Sequence, residues 1–177
     1  ALGSPPETRP MLLALKLLLY SLLLPATFAI YVPLAIAKER TPASAEAILI
    51  SVPIFAVGAA IFGWCLWAFA ALGQGTPVPI DAPKRLVVRG LYRATRNPLY
   101  VGVLSVAWGW AILFQSTRLA IYALLAGVGF HLFVVLYEEP RLRRQFGAEY
   151  KRYYEQVGRW LPKWNSPAAA SPRESSC

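Results

Sequence analysis

The feature that most constrains this chain is a series of apolar runs too long for the core of a small soluble domain. Met11–Ala37 is apolar over 27 residues apart from Lys16 and scattered hydroxyls, and Ala47–Leu72 follows as a second run. About 20 consecutive apolar residues suffice for a helix to cross the hydrocarbon core of a bilayer. A third run, Pro98–Phe114, is shorter, and Gln115–Arg118 separates it from a fourth, Leu119–Tyr137. So short a break predicts an antiparallel helical hairpin. The chain therefore reads as all-α, a polytopic membrane protein of about four transmembrane helices followed by an amphipathic helix. Its composition agrees: of 177 residues, 56% are hydrophobic and only 15% charged, far from the balance of a soluble domain.

Within these runs the local chemistry is readable. The first exceeds the apolar core of a signal peptide and lacks a clear small-residue cleavage site, so it reads as a span. Pro25 and Pro33 predict bends in it, which neighbouring helices can accommodate. Gly58, Ala59, Ala60 and Gly63 put small residues on one side of the second run and allow close helix approach. Trp64 and Trp67 lie near its far end, where indoles favour the membrane interface. Pro98 suits the first turn of the third helix.

The polar segments are few, and their charge is uneven. The connection 73–97 carries Lys84, Arg85, Arg89, Arg93 and Arg96 against Asp81, and the segment after Tyr137 carries eight Lys or Arg against five Glu. The first loop is balanced, with Lys38 and Arg40 against Glu39 and Glu46, and the third has only Arg118. By the positive-inside bias, both termini and residues 73–97 face the cytoplasm, in a membrane of the bacterial inner type. After Tyr137, Leu142, Phe146, Tyr150, Tyr153 and Val157 recur at helical intervals, which predicts one basic amphipathic helix or two broken at Gly147. Trp160 and Trp164 suit an interfacial anchor. Residues 1–10 read as a loose N-terminus, 11–72 as two N-terminal spans, 73–162 as the functional core and 163–177 as a disordered tail.

Polar residues at a membrane boundary are costly unless paired or wetted, which makes them functional candidates. The stretch Arg85–Gly102, basic and aromatic, is one such place. The adjacent carboxylates Glu138 and Glu139 are another. They can begin the next helix near its positive end, beside Pro140 and Arg141, or they can receive a cationic ligand. His131 lies seven residues before Glu138, about two helical turns away on roughly the same face. A lone histidine in an apolar span is more often simply packed. One histidine and two distant cysteines, Cys65 and Cys177, give neither a metal site nor a disulfide framework. No dinucleotide fingerprint or nucleophile elbow is present. The basic residues sit at membrane boundaries without a nucleic-acid motif, so nucleic acid is not an expected partner. What remains is a set of Arg, Glu, Asn, His and Tyr able to hold a zwitterion with an aromatic part.

Two ordered motifs carry a more specific signal. Gly90-x-Tyr92, then Arg96-Asn-Pro-x-Tyr100-x-Gly102, is followed by the hairpin. Glu138-Glu139-x-x-Leu142-x-x-x-Phe146-Gly147-x-x-Tyr150-x-x-Tyr153 comes next, with Val157 and Pro162 beyond. Residues 73–162 thereby resemble the isoprenylcysteine carboxyl methyltransferase family and the related phospholipid N-methyltransferases. The resemblance implies an integral membrane methyltransferase that uses S-adenosyl-L-methionine without a Rossmann domain. By matching positions it implies that Tyr92, Arg96, Asn97, Pro98, Tyr100, Gly102, His131, Glu138, Leu142 and Tyr150 form the cofactor site. The catalytic candidates are Glu138, Glu139 and Arg141. Asn97 stands where the eukaryotic isoprenylcysteine enzymes have histidine; an amide donates and accepts but does not titrate near neutrality.

The implied reaction is an in-line displacement that demands positioning and exclusion of water. An amine acceptor would also need a base, for which Glu138 or Glu139 is the nearby choice. The expected partner is a membrane lipid or lipid-linked acceptor entering sideways between spans, with Gly102, Gly109, Gly127 and Gly129 leaving room or serving close packing. A prenylcysteine-like carboxylate, a phospholipid amine or a small hydrophobic acceptor all suit this reading. A nicotinamide-dependent membrane reductase of the sterol-reductase type is a second reading, which the short chain argues against. A non-enzymatic membrane scaffold is a third.

Overall fold

The computed structural model describes residues 25–37, 43–72, 86 and 88–163. Expectations for 1–24, the charged loop 38–42, the turn-rich segment 73–85 and the tail from Trp164 lie outside the described residues. A π-helical turn, Thr27–Tyr31, leads into α1 (Val32–Ile36). Helix α2 (Ala45–Leu72) is followed by a 3-10 turn (Gly90–Arg93), α3 (Pro98–Leu113) and α4 (Thr117–Phe133). A second π-helical turn, Val134–Glu138, joins α4 to α5 (Glu139–Gln156). No strand occurs among the described residues; the one β-type contact is an isolated parallel bridge between Thr95 and Gly158.

Ala45–Ala68 and the continuous helix beginning at Thr117 are long and apolar enough to cross a membrane, while Thr27–Ile36 and Pro98–Leu113 are shorter apolar helices. The expected hairpin is present. Its turn places Gln115 at φ 46°, and Ser116 caps α4 by accepting a hydrogen bond from the Leu119 N–H at 3.4 Å. Large apolar side chains on α2 and α4, among them Leu49, Val57, Leu124 and Leu125, are exposed, as expected of surfaces whose solvent is lipid.

Helix α2 packs most extensively on α3, and the crossing point is glycine on glycine. A Cβ added at Gly102 would lie 3.0 Å from the Gly58 carbonyl oxygen, and one added at Gly58 would lie 3.0 Å from that of Gly102. Backbone faces backbone here, so neither side can yield by turning a rotamer. Gly58 fulfils the close-approach expectation, whereas Gly63 has open space around it. Gly109 accommodates the Phe55 ring, whose edge would be 2.8 Å from an added Cβ. We expect Gly102→Ala to lower thermal stability in detergent by about 1–3 kcal/mol, the usual cost of overpacking; an unchanged melting temperature would contradict the crossing.

Both π turns end two residues before a proline, Pro33 and Pro140. Proline lacks an N–H and its ring clashes with the carbonyl one turn back, so the helix widens there. At the first site the deprived carbonyls are those of Phe28 and Ala29. They are satisfied from the hairpin: the Tyr122 hydroxyl donates to the Phe28 carbonyl at 2.7 Å, and Trp110 Nε1 donates to that of Ala29 at 2.9 Å. This is how a proline kink is tolerated where no water is available. At the second site the π turn ends at Glu138, and Glu139 follows as the first residue of α5.

Candidate active site

The site forms where the N-terminus of α3, the second π turn and the segment after α5 converge. The polar connection and the C-terminal segment are first laced together through the backbone. The Arg96 N–H donates to the Gly158 carbonyl at 2.9 Å. The Arg159 carbonyl accepts twice, from Thr95 Oγ1 at 3.0 Å and from Asn97 Nδ2 at 3.1 Å. Asn97 is buried, and its amide acts as a strut between segments 62 residues apart. An uncharged donor suits that place better than an imidazole that could gain a proton.

The strut positions Arg159, which sequence reasoning did not single out. Its Nε and Nη2 grip the Glu139 carboxylate at 2.7 and 3.0 Å. Arg96 Nη1 reaches the same carboxylate at 3.0 Å and lies 3.4 Å from the Tyr150 hydroxyl. The Arg96 guanidinium also stacks over the Tyr154 ring, 4.1 Å from its centroid. The side chains of Arg96 and Glu139 are 7% and 6% exposed, and that of Arg159 is 26% exposed. Glu139 therefore holds two guanidinium groups in a buried triad. The hydrogen bonds that Arg159 donates to Glu139 raise its pKa above its ordinary value, so this guanidinium stays charged. Arg96 Nε is buried without a hydrogen-bond partner among the described residues. Two cations against one carboxylate leave the triad net positive.

Glu138, one residue earlier, faces elsewhere. It is half-buried and accepts a hydrogen bond from the Tyr100 hydroxyl at 3.1 Å. The Tyr100 ring lies 5.0 Å from Phe130 and 6.5 Å from Trp160 between centroids. Trp160 Nε1 donates to His131 Nδ1 at 3.1 Å. His131 and Glu138 are thus connected through Trp160 and Tyr100. The two carboxylates do stand at the start of α5, Glu139 as its first residue and Glu138 just before it, but both have helical backbone angles and Glu138 makes no side-chain cap bond.

The remaining sequence candidates separate into supports and bystanders. Tyr92 sits in the 3-10 turn, with its carbonyl accepting from the Tyr153 hydroxyl at 2.8 Å and its ring 6.3 Å from Trp64. Burial, reinforced by nearby Cys65, Glu138 and Tyr153, pushes the Tyr92 pKa well up and keeps the phenol neutral. Gly90, at φ +55°, is required there because a Cβ would run into the Trp64 indole. Trp64 therefore faces this turn, while Trp67 is exposed. Tyr150, Tyr153 and Val157 form a buried cluster against which Leu142 packs. The amphipathic helix is interrupted at Gly147, at φ 49° and ψ −119°. Pro98 is buried at the start of α3. Gly102 belongs to the α2–α3 crossing. Arg141 stays outside the cluster, donating to the Tyr137 hydroxyl at 3.2 Å in an exposed position.

Two helices long and apolar enough to cross a membrane, with a charged and aromatic cluster at the end of the helical hairpin, mark a membrane protein. The chain belongs to the phospholipid methyltransferase family, whose family model matches residues 47–149. The match reaches back over α2, further than the motifs at 73–162 extend, and it stops before Tyr150, Arg159 and Trp160. No match was found among curated proteins or solved structures.

Proposed function

We propose that this protein transfers a methyl group from S-adenosyl-L-methionine to the head of a membrane lipid or lipid-linked acceptor. The observation that carries the reading is the division of labour at residues 138 and 139. One carboxylate is locked in a triad of net positive charge, and its neighbour is presented among aromatic rings. The donor set suits S-adenosyl-L-methionine: the unpartnered Arg96 Nε and the more exposed Arg159 suit its carboxylate. Glu138 suits an ammonium or ribose hydroxyl, and the rings of Tyr100, Trp160 and Tyr92 suit a sulfonium or adenine. Bound there, S-adenosyl-L-methionine would supply an activated methyl group. Tyr100 orients Glu138, which can accept the proton of an amine acceptor, and the buried triad keeps the pocket wall rigid and dry. The family match supports a membrane methyltransferase, and an amine-bearing phospholipid headgroup is the acceptor that would use Glu138 as a base. We further read the chain as four spans, with residues 73–162 as the core, and with that core and both termini on the cytoplasmic side of a bacterial-type inner membrane.

S-adenosylhomocysteine should raise the melting temperature of the detergent-purified protein, and NADPH should not. A ligand at 100 times its Kd stabilises by about 2.7 kcal/mol, well within detection. A shift with NADPH alone would favour the reductase reading, and a shift with neither would favour the scaffold.

A further inference from the structure

A cleft of about 260 Å³ runs along the outer side of the α3–α4 hairpin. Leu104 and Trp108 of α3 form one wall, and Ala123, Leu124 and Val128 of α4 form the other, with Gly127 as part of the floor. Leu124, Val128 and Trp108 are 59%, 50% and 41% exposed. The cleft opens sideways, on helices whose outer surface is apolar. Its polar lining is confined to one end, where His131 and Trp160 meet. Trp160 is held there by its bond to His131, and it stands edge-on to Tyr100, the residue that holds Glu138. The apolar cleft and the polar pocket therefore share one wall.

Resting on the function proposed above, we infer that this cleft receives one hydrocarbon chain of the methyl acceptor, and that Trp160 is the stop that sets the acceptor's head beside Glu138. Three observations select that occupant. A ligand entering from this side comes from the bilayer, so it must be soluble there. The lining matches a hydrocarbon along its length and a polar group at one end only. The length suits a stretch of extended chain: at 1.5 Å rise per residue, Ala123 to His131 spans about 12 Å. The antiparallel hairpin fixes the direction. His131, Trp160 and Leu104 lie at the head end, and Trp108 and Ala123 at the tail end.

The test is photo-crosslinking of the whole protein in lipid nanodiscs with two lysophosphatidylethanolamine probes. One carries a diazirine near the glycerol and the other carries it further along the acyl chain. The first should label peptides containing His131 or Trp160, and the second peptides containing Trp108 or Ala123. Gly127→Phe, which fills the floor, should lose that labelling while keeping the S-adenosylhomocysteine thermal shift. Gly129→Phe, next to open space, should retain both and controls for insertion of a bulky ring. Trp160→Phe should keep labelling at the tail but raise KM for the acceptor more than it lowers cofactor affinity. Labelling that falls on other helices, or survives Gly127→Phe unchanged, overturns the cleft. Labelling with the expected register but no thermal shift in the unaltered protein leaves the cleft standing and removes the methyltransferase reading instead.

Discussion

Glu139→Gln should cost this protein about 3–5 kcal/mol of stability, the expected penalty for removing one partner of a buried charge pair. The carboxylate receives three hydrogen bonds from two guanidinium groups, at 2.7, 3.0 and 3.0 Å. A neutral amide replaces the only carboxylate of that triad and leaves two like charges facing each other, one of them buried. Arg96 then has nowhere to turn, because its Nε already lacks a partner and its plane is stacked on Tyr154. Thermal unfolding in detergent reads the loss directly. Arg159→Gln is the informative comparison: it leaves the neutral Arg96–Glu139 pair in place and removes the more exposed arginine, so its cost should be clearly smaller. Equal stability of Glu139→Gln and the unaltered protein would show that the triad contributes nothing to the fold.

Glu138→Gln should do the opposite. The side chain is isosteric, and its amide oxygen can still accept the Tyr100 hydroxyl now 3.1 Å from the carboxylate. No arginine among the described residues depends on Glu138 for its counter-charge. The melting temperature should therefore stay close to that of the unaltered protein. Methyl transfer should fall by about 10²–10⁴-fold if Glu138 takes the proton from an amine acceptor. Labelled methyl incorporation into a lipid extract measures it and also identifies the product. Near-normal transfer by Glu138→Gln would remove the general-base role and favour an acceptor that reacts without losing a proton, such as a carboxylate. Adjacent residues are thus expected to give two separable phenotypes, one in stability and one in rate.

That separation was not legible in the sequence, where Glu138 and Glu139 are simply two neighbouring acids. The second π turn, which Pro140 induces, sets their directions, and neither has a partner nearer in the chain than Tyr100 or Arg159. Arg159 and Trp160 were missed as site residues for a related reason. They follow the amphipathic helix in a segment with no periodic signal, and Trp160 reads equally well as an interfacial anchor. The cue that could have found Arg159 is the pair Gly158-Arg159 just past a helix end, a place where the chain can turn back. A Cβ at Gly158 would collide with the Leu161 carbonyl, so this tight return depends on glycine.

The sequence by itself determined the helices, the hairpin, the prolines that disturb them and the polar islands at their ends. These are local properties: hydropathy over a span's length, a missing N–H, a break of a few residues. Only the tertiary structure decided which polar residue meets which. Arg96, Glu139 and Arg159 lie 43 and 20 residues apart along the chain, and their pairing is set by where helix packing brings three chain segments together. In an apolar surrounding a charge must find a partner, but the pairing rule does not name it. Packing made Glu139 a structural ion and left Glu138 facing the rings.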